Sequence, residues 1–131
     1  MGDSHPPRPI PRRLKVLFVC TLNQWRSPTA ENLYRGDPRL EVRSAGVRRG
    51  ARRHLGTADV SWADAILVME ADHKQWIQEN FRNQKLPPIR VLKIANNLGY
   101  MDEDLQRILR QAIDPEIEAL LGPESPSPGV A

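Results

Sequence analysis

The sequence predicts a three-layer α/β domain, and three features carry that reading. Residues 15–19 and 65–69 are near-continuous apolar runs, the pattern of strands covered on both faces within a parallel sheet. The stretches between such runs place apolar residues three and four apart, the spacing of a helix that buries one face. Strand-like and helix-like segments alternate along the chain, as they do where helices connect parallel strands. At 131 residues the length suits one domain with a real core.

The first run, 15–19, ends on Cys20, the only cysteine. Residues 28–35 follow as a helix with Ala30, Leu33 and Tyr34 on one face. Pro28 suits the first helical position and Ser27 the cap before it. Residues 40–44 form a short second strand ended by Ala45-Gly46, and 65–69 a third strand. A helix over 72–81 presents Trp76, Ile77 and Phe81, with Asp64 and Asp72 as caps near the element ends. Pro87-Pro88 breaks the chain before a strand at 89–92. Residues 102–113 are helical, with Leu105, Ile108, Leu109 and Ala112 in register. Asp114-Pro115 then ends that helix and starts a last short one with Ile117, Leu120 and Leu121 inward. Trp62, Met69 and Trp76 read as core. Residues 1–12 hold four prolines and 122–131 are Pro-, Ser- and Gly-rich, so both read as disordered tails around a folded domain at 13–121.

The net charge of +3 belongs to the N-terminal stretch. Arg8, Arg12, Arg13 and Lys15 against Asp3 account for it, and the rest carries 15 basic and 15 acidic residues. A neutral body argues against a nucleic-acid-binding module, which shows a basic face. No apolar run approaches the ~20 residues of a membrane span. With one cysteine and no export signal, a reducing cytoplasm is the expected compartment. One local excess stands out: Arg43, Arg48, Arg49, Arg52 and Arg53 lie within 43–53 with no acid among them. They form either a solvated loop or a rim that attracts an acidic or multiply phosphorylated partner.

Chemistry concentrates in residues 20–27, CTLNQWRS. In parallel sheets, ligands bind at the carboxyl ends of strands, where Cys20 falls. A turn from strand to helix points several backbone N–H groups at one spot, and the helix N-terminus adds partial positive charge. Arg26 adds a planar fork that matches two phosphate oxygens. A thiol held in that concavity meets the conditions for nucleophilic attack on phosphorus through a phosphocysteine intermediate, with no metal or cofactor. His54 and His73 have no sequence partners that mark them as ligands and read as surface or helix-stripe residues. Trp25 is either an aromatic wall or packing beneath the loop.

The stretch CTLNQWRSPTAE resembles the signature of the low-molecular-weight protein tyrosine phosphatases. VRSAG at 42–46, WADAILVMEADHKQWIQENF at 62–81 and YMDEDLQRIL at 100–109 are similar to the short bacterial members. The likeness runs over roughly residues 13–121. It implies a four-stranded parallel sheet with helices on both faces, and phosphomonoester hydrolysis of phosphotyrosine-like substrates. By position it makes Cys20 the nucleophile, Arg26 the phosphate clamp and residues Thr21, Leu22, Asn23, Gln24 and Trp25 the rest of the phosphate-binding loop. Asn23 would brace that loop, and Ser27 would donate to the sulfur and ease its departure. The ligand expected is a phosphorylated substrate or a small oxyanion such as phosphate.

Three positions depart from the family pattern. Leu22 stands where a glycine is usual, and is strained if the position requires φ > 0. Trp25 stands where a second cysteine is common. In the segment KIANNLGYMDED, 93–104, the place of the usual proton-donating Asp falls on Asn96 or Asn97. Three readings follow: Asp102 or Asp104 swings in, the leaving group needs little help, or the domain binds oxyanions as a regulatory module without useful turnover. Asp102 equally suits a helix N-cap.

Overall fold

The computed structural model describes residues 12–122. The elements in order are β1 (Leu14–Cys20), α1 (Arg26–Tyr34), β2 (Leu40–Gly46), α2 (Thr57–Trp62), β3 (Ala65–Val68), α3 (Ala71–Asn80), β4 (Ile89–Val91) and α4 (Glu103–Leu121). The four strands form one parallel sheet in the order β2-β1-β3-β4. The expected tails fall, but for Arg12 and Gly122, outside the described residues.

Side chains alternate across a strand, and the two central strands show it directly. Val16, Phe18 and Cys20 of β1, with Leu67 of β3 and the following Met69, join a cluster completed by Ala30 and Tyr34 of α1 and Leu105, Leu109, Ile113 and Ile117 of α4. Leu17, Val19, Ile66 and Val68 point the other way, onto Val60 of α2 and Ile77 of α3. The sheet is therefore the middle of three layers, and Cys20 opens toward the α1 and α4 side. Trp62 and Trp76 lie half-buried at the edge of the second cluster rather than inside it, whereas Met69 is fully enclosed.

Several local expectations change. α1 begins at Arg26, with Trp25 at its N-cap, so Ser27 is the second helical residue and not the cap. Its hydroxyl is used elsewhere, as described below. Pro28 sits in the first turn, where its missing N–H would have had no helical acceptor. α4 runs unbroken through Pro115. An interior proline costs about 3 kcal/mol, but Leu105, Leu109, Ile113 and Ile117 are all buried at i, i+4 spacing on both sides of it, and burial of each large apolar side chain returns about 1.5–3 kcal/mol. Asp114 accepts from Tyr34 Oη rather than capping a new helix. Burial and that carboxylate push the Tyr34 phenol well above its usual range. Asp72 lies in the first turn of α3, behind Glu70 at the N-cap. Asp64 is not a helix cap. It accepts from Lys15 N at 2.9 Å and Arg12 Nη2 at 2.7 Å, tying the start of β1 down. Partial burial opposes its ionisation, yet those two donors hold its carboxyl below the usual range. The short helix α2 was not signalled by periodicity. Its Asp59 accepts from Gly56 N, Arg43 and Arg53.

Candidate active site

β1 delivers Cys20 to the carboxyl edge of the sheet, and the chain turns tightly through 21–25 into α1. Three neighbours hold this turn. Val47 N donates to Cys20 O, Arg48 N to Thr21 O and Arg52 N to Leu22 O, so the segment after β2 runs alongside the loop. Arg52 Nε also donates to Asn23 O at 3.0 Å. The approach is close at Gly46. A Cβ there would lie 2.7 Å from Thr21 O and 2.9 Å from Asn23 N, so only glycine fits.

The loop contains one left-handed residue, and it is Asn23, with φ 56°, not Leu22. Asparagine tolerates that region well, so Leu22 carries no strain. Asn23 is fully buried. Its Nδ2 donates to Ser27 Oγ at 2.8 Å and to Ser44 Oγ at 2.9 Å, and Ser44 Oγ donates on to Glu31 Oε1 at 2.5 Å. Asn23 Oδ1 is buried without a partner, one unmade bond in an otherwise connected network.

Ser27 Oγ lies 2.9 Å from Cys20 Sγ and 3.4 Å from Ala45 O. With one lone pair filled by Asn23, the hydroxyl serves either form of the sulfur. It accepts from a thiol while donating to Ala45 O, or it donates to a thiolate.

Arg26 is 1% exposed, so it is not a solvated surface cation. Nη1 donates to the Glu70 carboxylate and to Ile94 O at 2.7 Å, and Nη2 donates to Thr21 Oγ1 at 3.3 Å. These contacts consume both Nη1 protons and one on Nη2. Among the described residues this leaves Nε–H and one Nη2–H without a partner, two donors free to meet an oxyanion. Among the described residues the N–H groups of 21–25 also find no backbone acceptor.

These groups surround a small cavity of about 80 Å³ lined by Cys20, Thr21, Leu22, Gln24, Trp25, Arg26 and Asn96. Cys20 itself is buried at its floor. Trp25 is 42% exposed, which makes it a wall of the cavity and not packing beneath the loop. Asn23 and Ser27 stay behind the loop as its bracing. Of the two candidate asparagines, Asn96 borders the cavity and Asn97 does not. The segment carrying Asn96 is fixed from both sides, by Ile94 N donating to Met69 O at 2.8 Å and by the Arg26 bond to Ile94 O.

Among the described residues no carboxyl group lines the cavity. Asp102 caps α4, accepting from Asp104 N at 2.8 Å and Leu105 N at 3.3 Å, and Asp104 pairs with Arg107 at 2.8 Å. Neither borders the cavity, so neither fills the place of a proton donor. Glu70 and His73 are the site residues that sequence reasoning missed. His73 is 1% exposed, not on the surface, and reaches Thr21 Oγ1 at 3.0 Å. Burial and the Arg26 cation lower its pKa, against the opposing charges of Asp72 and Glu70. His54 is exposed, packing edge-on to Trp76.

The arginine cluster divides. Arg43 and Arg53 pair with Asp59, and Arg52 holds the loop. Arg48 and Arg49 have no acidic partner among the described residues and border a groove of about 540 Å³ with Thr21, Val47, His54, Asp72, His73 and Trp76. No cluster of metal-ligating side chains occurs among the described residues, and no helix there is long and apolar enough to cross a membrane.

No protein-family model matches the chain. A protein-arginine-phosphatase of Geobacillus stearothermophilus is 34% identical over 54% of this chain and 64% of its own length, so the chain spans slightly less than two thirds of this curated relative. The solved YwlE arginine phosphatase of the same organism superposes with a TM-score of 0.58 at 25% identity, covering 83% of this chain and 97% of that one. A low-molecular-weight protein tyrosine phosphatase of Streptococcus pyogenes gives a TM-score of 0.69 at 18% identity, over 86% and 96%. The tyrosine phosphatase Wzb of Escherichia coli K30, solved with phosphate, gives 0.60 at 22%, over 83% and 99%. The last two share the fold.

Proposed function

We propose that the chain is a cysteine-dependent phosphatase of the low-molecular-weight protein tyrosine phosphatase type, working through a phosphocysteine intermediate, a reading supported by its likeness to the arginine phosphatases. The observation that carries this reading is the buried Arg26, with donors left unpartnered, beside Cys20 at the floor of a small cavity. Cys20 Sγ attacks phosphorus in line. An S–P bond forms, and the bond to the leaving atom breaks with its electron pair. Arg26 Nε–H and Nη2–H hold two of the equatorial oxygens, with the loop N–H groups around the third. Ser27 Oγ–H then donates to the sulfur as water attacks phosphorus, so that the thiolate leaves. A lone thiol with no partner cysteine suits a reducing cytoplasm. Arg48 and Arg49 offer an acidic flank of a protein substrate a place beside the cavity. The test is hydrolysis of an aryl phosphate across pH 5–8 by wild type and Cys20→Ser. Activity of the wild type well above the variant supports the reading and excludes a binding-only module. Equal activity refutes it.

The missing carboxyl favours a particular leaving group. The relative at 34% identity is a protein-arginine-phosphatase, and a guanidino group keeps its positive charge at neutral pH. A phosphorylated guanidinium thus already bears the charge that an acid confers on a leaving phenoxide. The P–N bond breaks to release neutral guanidine, which takes its proton from solvent. Gln24 and Asn96 supply amide carbonyl acceptors for guanidinium N–H groups, and the half-exposed ring of Trp25 a face for the cation. This second reading predicts a higher kcat/KM for a phosphoarginine peptide than for the matching phosphotyrosine peptide. The reverse order leaves phosphotyrosine as the substrate class.

A further inference from the structure

His73 fixes a hydrogen-bond direction at the cavity. Its Nδ1 lies 3.1 Å from Glu70 N, whose backbone N–H donates to it. Nδ1 therefore carries no proton, and the ring is the neutral Nε2–H tautomer, since a charged ring or the other tautomer would set donor against donor. Nε2, 3.0 Å from Thr21 Oγ1, must then donate to that hydroxyl. Arg26 Nη2 donates to the same oxygen at 3.3 Å. A hydroxyl has two lone pairs and one proton. Both lone pairs of Thr21 are filled, and among the described residues its proton meets no acceptor. Thr21 borders the Cys20 cavity.

We propose that the Thr21 hydroxyl is a committed donor to the anion held over Cys20, aimed there by His73. This rests on the reading of the cavity as an oxyanion site and adds a side-chain donor to it. Thr21 then touches the anion, while His73 acts through it as a positioning residue. A serine in the same place keeps the hydroxyl. A valine removes it and leaves the buried Nε2–H of His73 without an acceptor. The lowered pKa of His73 agrees with a ring that must stay neutral.

Two measurements on the full chain test this. Long-range proton–nitrogen NMR of the imidazole at neutral pH is expected to report the Nε2–H tautomer for His73. An Nδ1–H or doubly protonated ring overturns the proposal. Calorimetry with inorganic phosphate then compares wild type, Thr21→Ser and Thr21→Val. A hydrogen bond to a charged group is worth about 1.5–3 kcal/mol, so Thr21→Val is expected to bind phosphate about tenfold to a hundredfold more weakly, with Thr21→Ser near wild type. Equal affinity in wild type and Thr21→Val overturns the proposal while leaving the anion site standing. Equal weakness in Thr21→Ser and Thr21→Val also overturns it, since shape and not the hydroxyl would then matter. A wild type that binds no phosphate removes the anion site itself, and this donor with it. Thr21→Ala replaces Thr21→Val should the latter not fold.

Discussion

Replacing Asn96 by Asp puts a carboxyl group on the rim of the cavity with almost no change in size. Among the described residues the cavity otherwise has none. General acid catalysis is worth about 10²–10⁴-fold, or about 2.7–5.4 kcal/mol of barrier. The structure sets the lower end. The segment is pinned by Ile94 to Met69 O and to Arg26, so the new carboxyl starts in place, but residue 96 is exposed and water competes for it. A rise of about 10²-fold in kcat is therefore expected for a substrate whose leaving group needs a proton, such as phenyl phosphate, with a much smaller rise for p-nitrophenyl phosphate. The pH–rate profile of Asn96→Asp gains an alkaline limb as the acid deprotonates, and wild type lacks it. Asn97→Asp, one residue farther and off the cavity, is the control and gains nothing. A rise independent of leaving group refutes the reasoning, because an acid helps poor leaving groups most. So does a rise at residue 97 with none at 96.

Gly46→Ala drives a Cβ to 2.7 Å from Thr21 O, so the loop backbone must move. We expect a stability loss of about 1–3 kcal/mol by urea unfolding, together with weakened phosphate binding in the folded protein. Leu109→Ala, in the middle of α4 and fully buried, is expected to cost about 2–5 kcal/mol in the same assay while leaving phosphate affinity unchanged. His73 adds a pH dependence. Its folded pKa is lowered, so its contribution is complete above the ordinary value of about 6.5, where both states are neutral, and is lost as pH falls through the folded value. Glu70, Asp72 and Arg26 are the charged groups that act on the ring. The stability difference between wild type and His73→Gln should therefore stay constant above about pH 6.5 and shrink only below it, with a slope of at most about 1.4 kcal/mol per pH unit. A constant offset from pH 5 to 8 would refute a neutral buried ring.

The layers, the four strands and the place of Cys20 were legible because each rests on local pattern. Unbroken apolar runs make doubly buried strands, and β1 and β3 alternate their side chains between two cores as those runs require. Errors arose where a side chain had two possible employers. Ser27 before Pro28 is a good cap by sequence, but its hydroxyl is taken by Cys20 and Asn23, and α1 starts two residues earlier than the serine suggests. Pro115 is a good helix breaker by sequence, but the buried leucines and isoleucines on either side carry α4 across it. For Pro115 the burial of α4 against the rest of the chain outweighs the local preference; for Ser27 the competing partners lie within residues 20–27, but a cap preference read from residue type does not show that they claim its hydroxyl.

Glu70 and His73 lay further out of reach, 44 and 52 residues beyond their partners Arg26 and Thr21. Yet a topological signal existed. In a parallel sheet all carboxyl ends lie along one edge, so the residues just past each strand are neighbours. The observed order β2-β1-β3-β4 then decides which of them reach Cys20. β3 pairs directly with β1, Val68 opposite Val19, so the next residues along, Met69-Glu70 on one and Cys20-Thr21 on the other, must adjoin. β2 pairs on the other side, Gly46 opposite Cys20, which is why the segment after Gly46 lies against the loop. β4 lies one strand away, and its continuation reaches the site only because Ile94 N bonds Met69 O and Ile94 O receives Arg26. Each segment supplies what its distance permits: steric fit from Gly46, hydrogen-bond direction from Glu70 and His73, and a rim residue from Asn96. Polar residues immediately after the strand that neighbours the nucleophile's own strand are thus the ones to weigh first, whatever their separation in sequence.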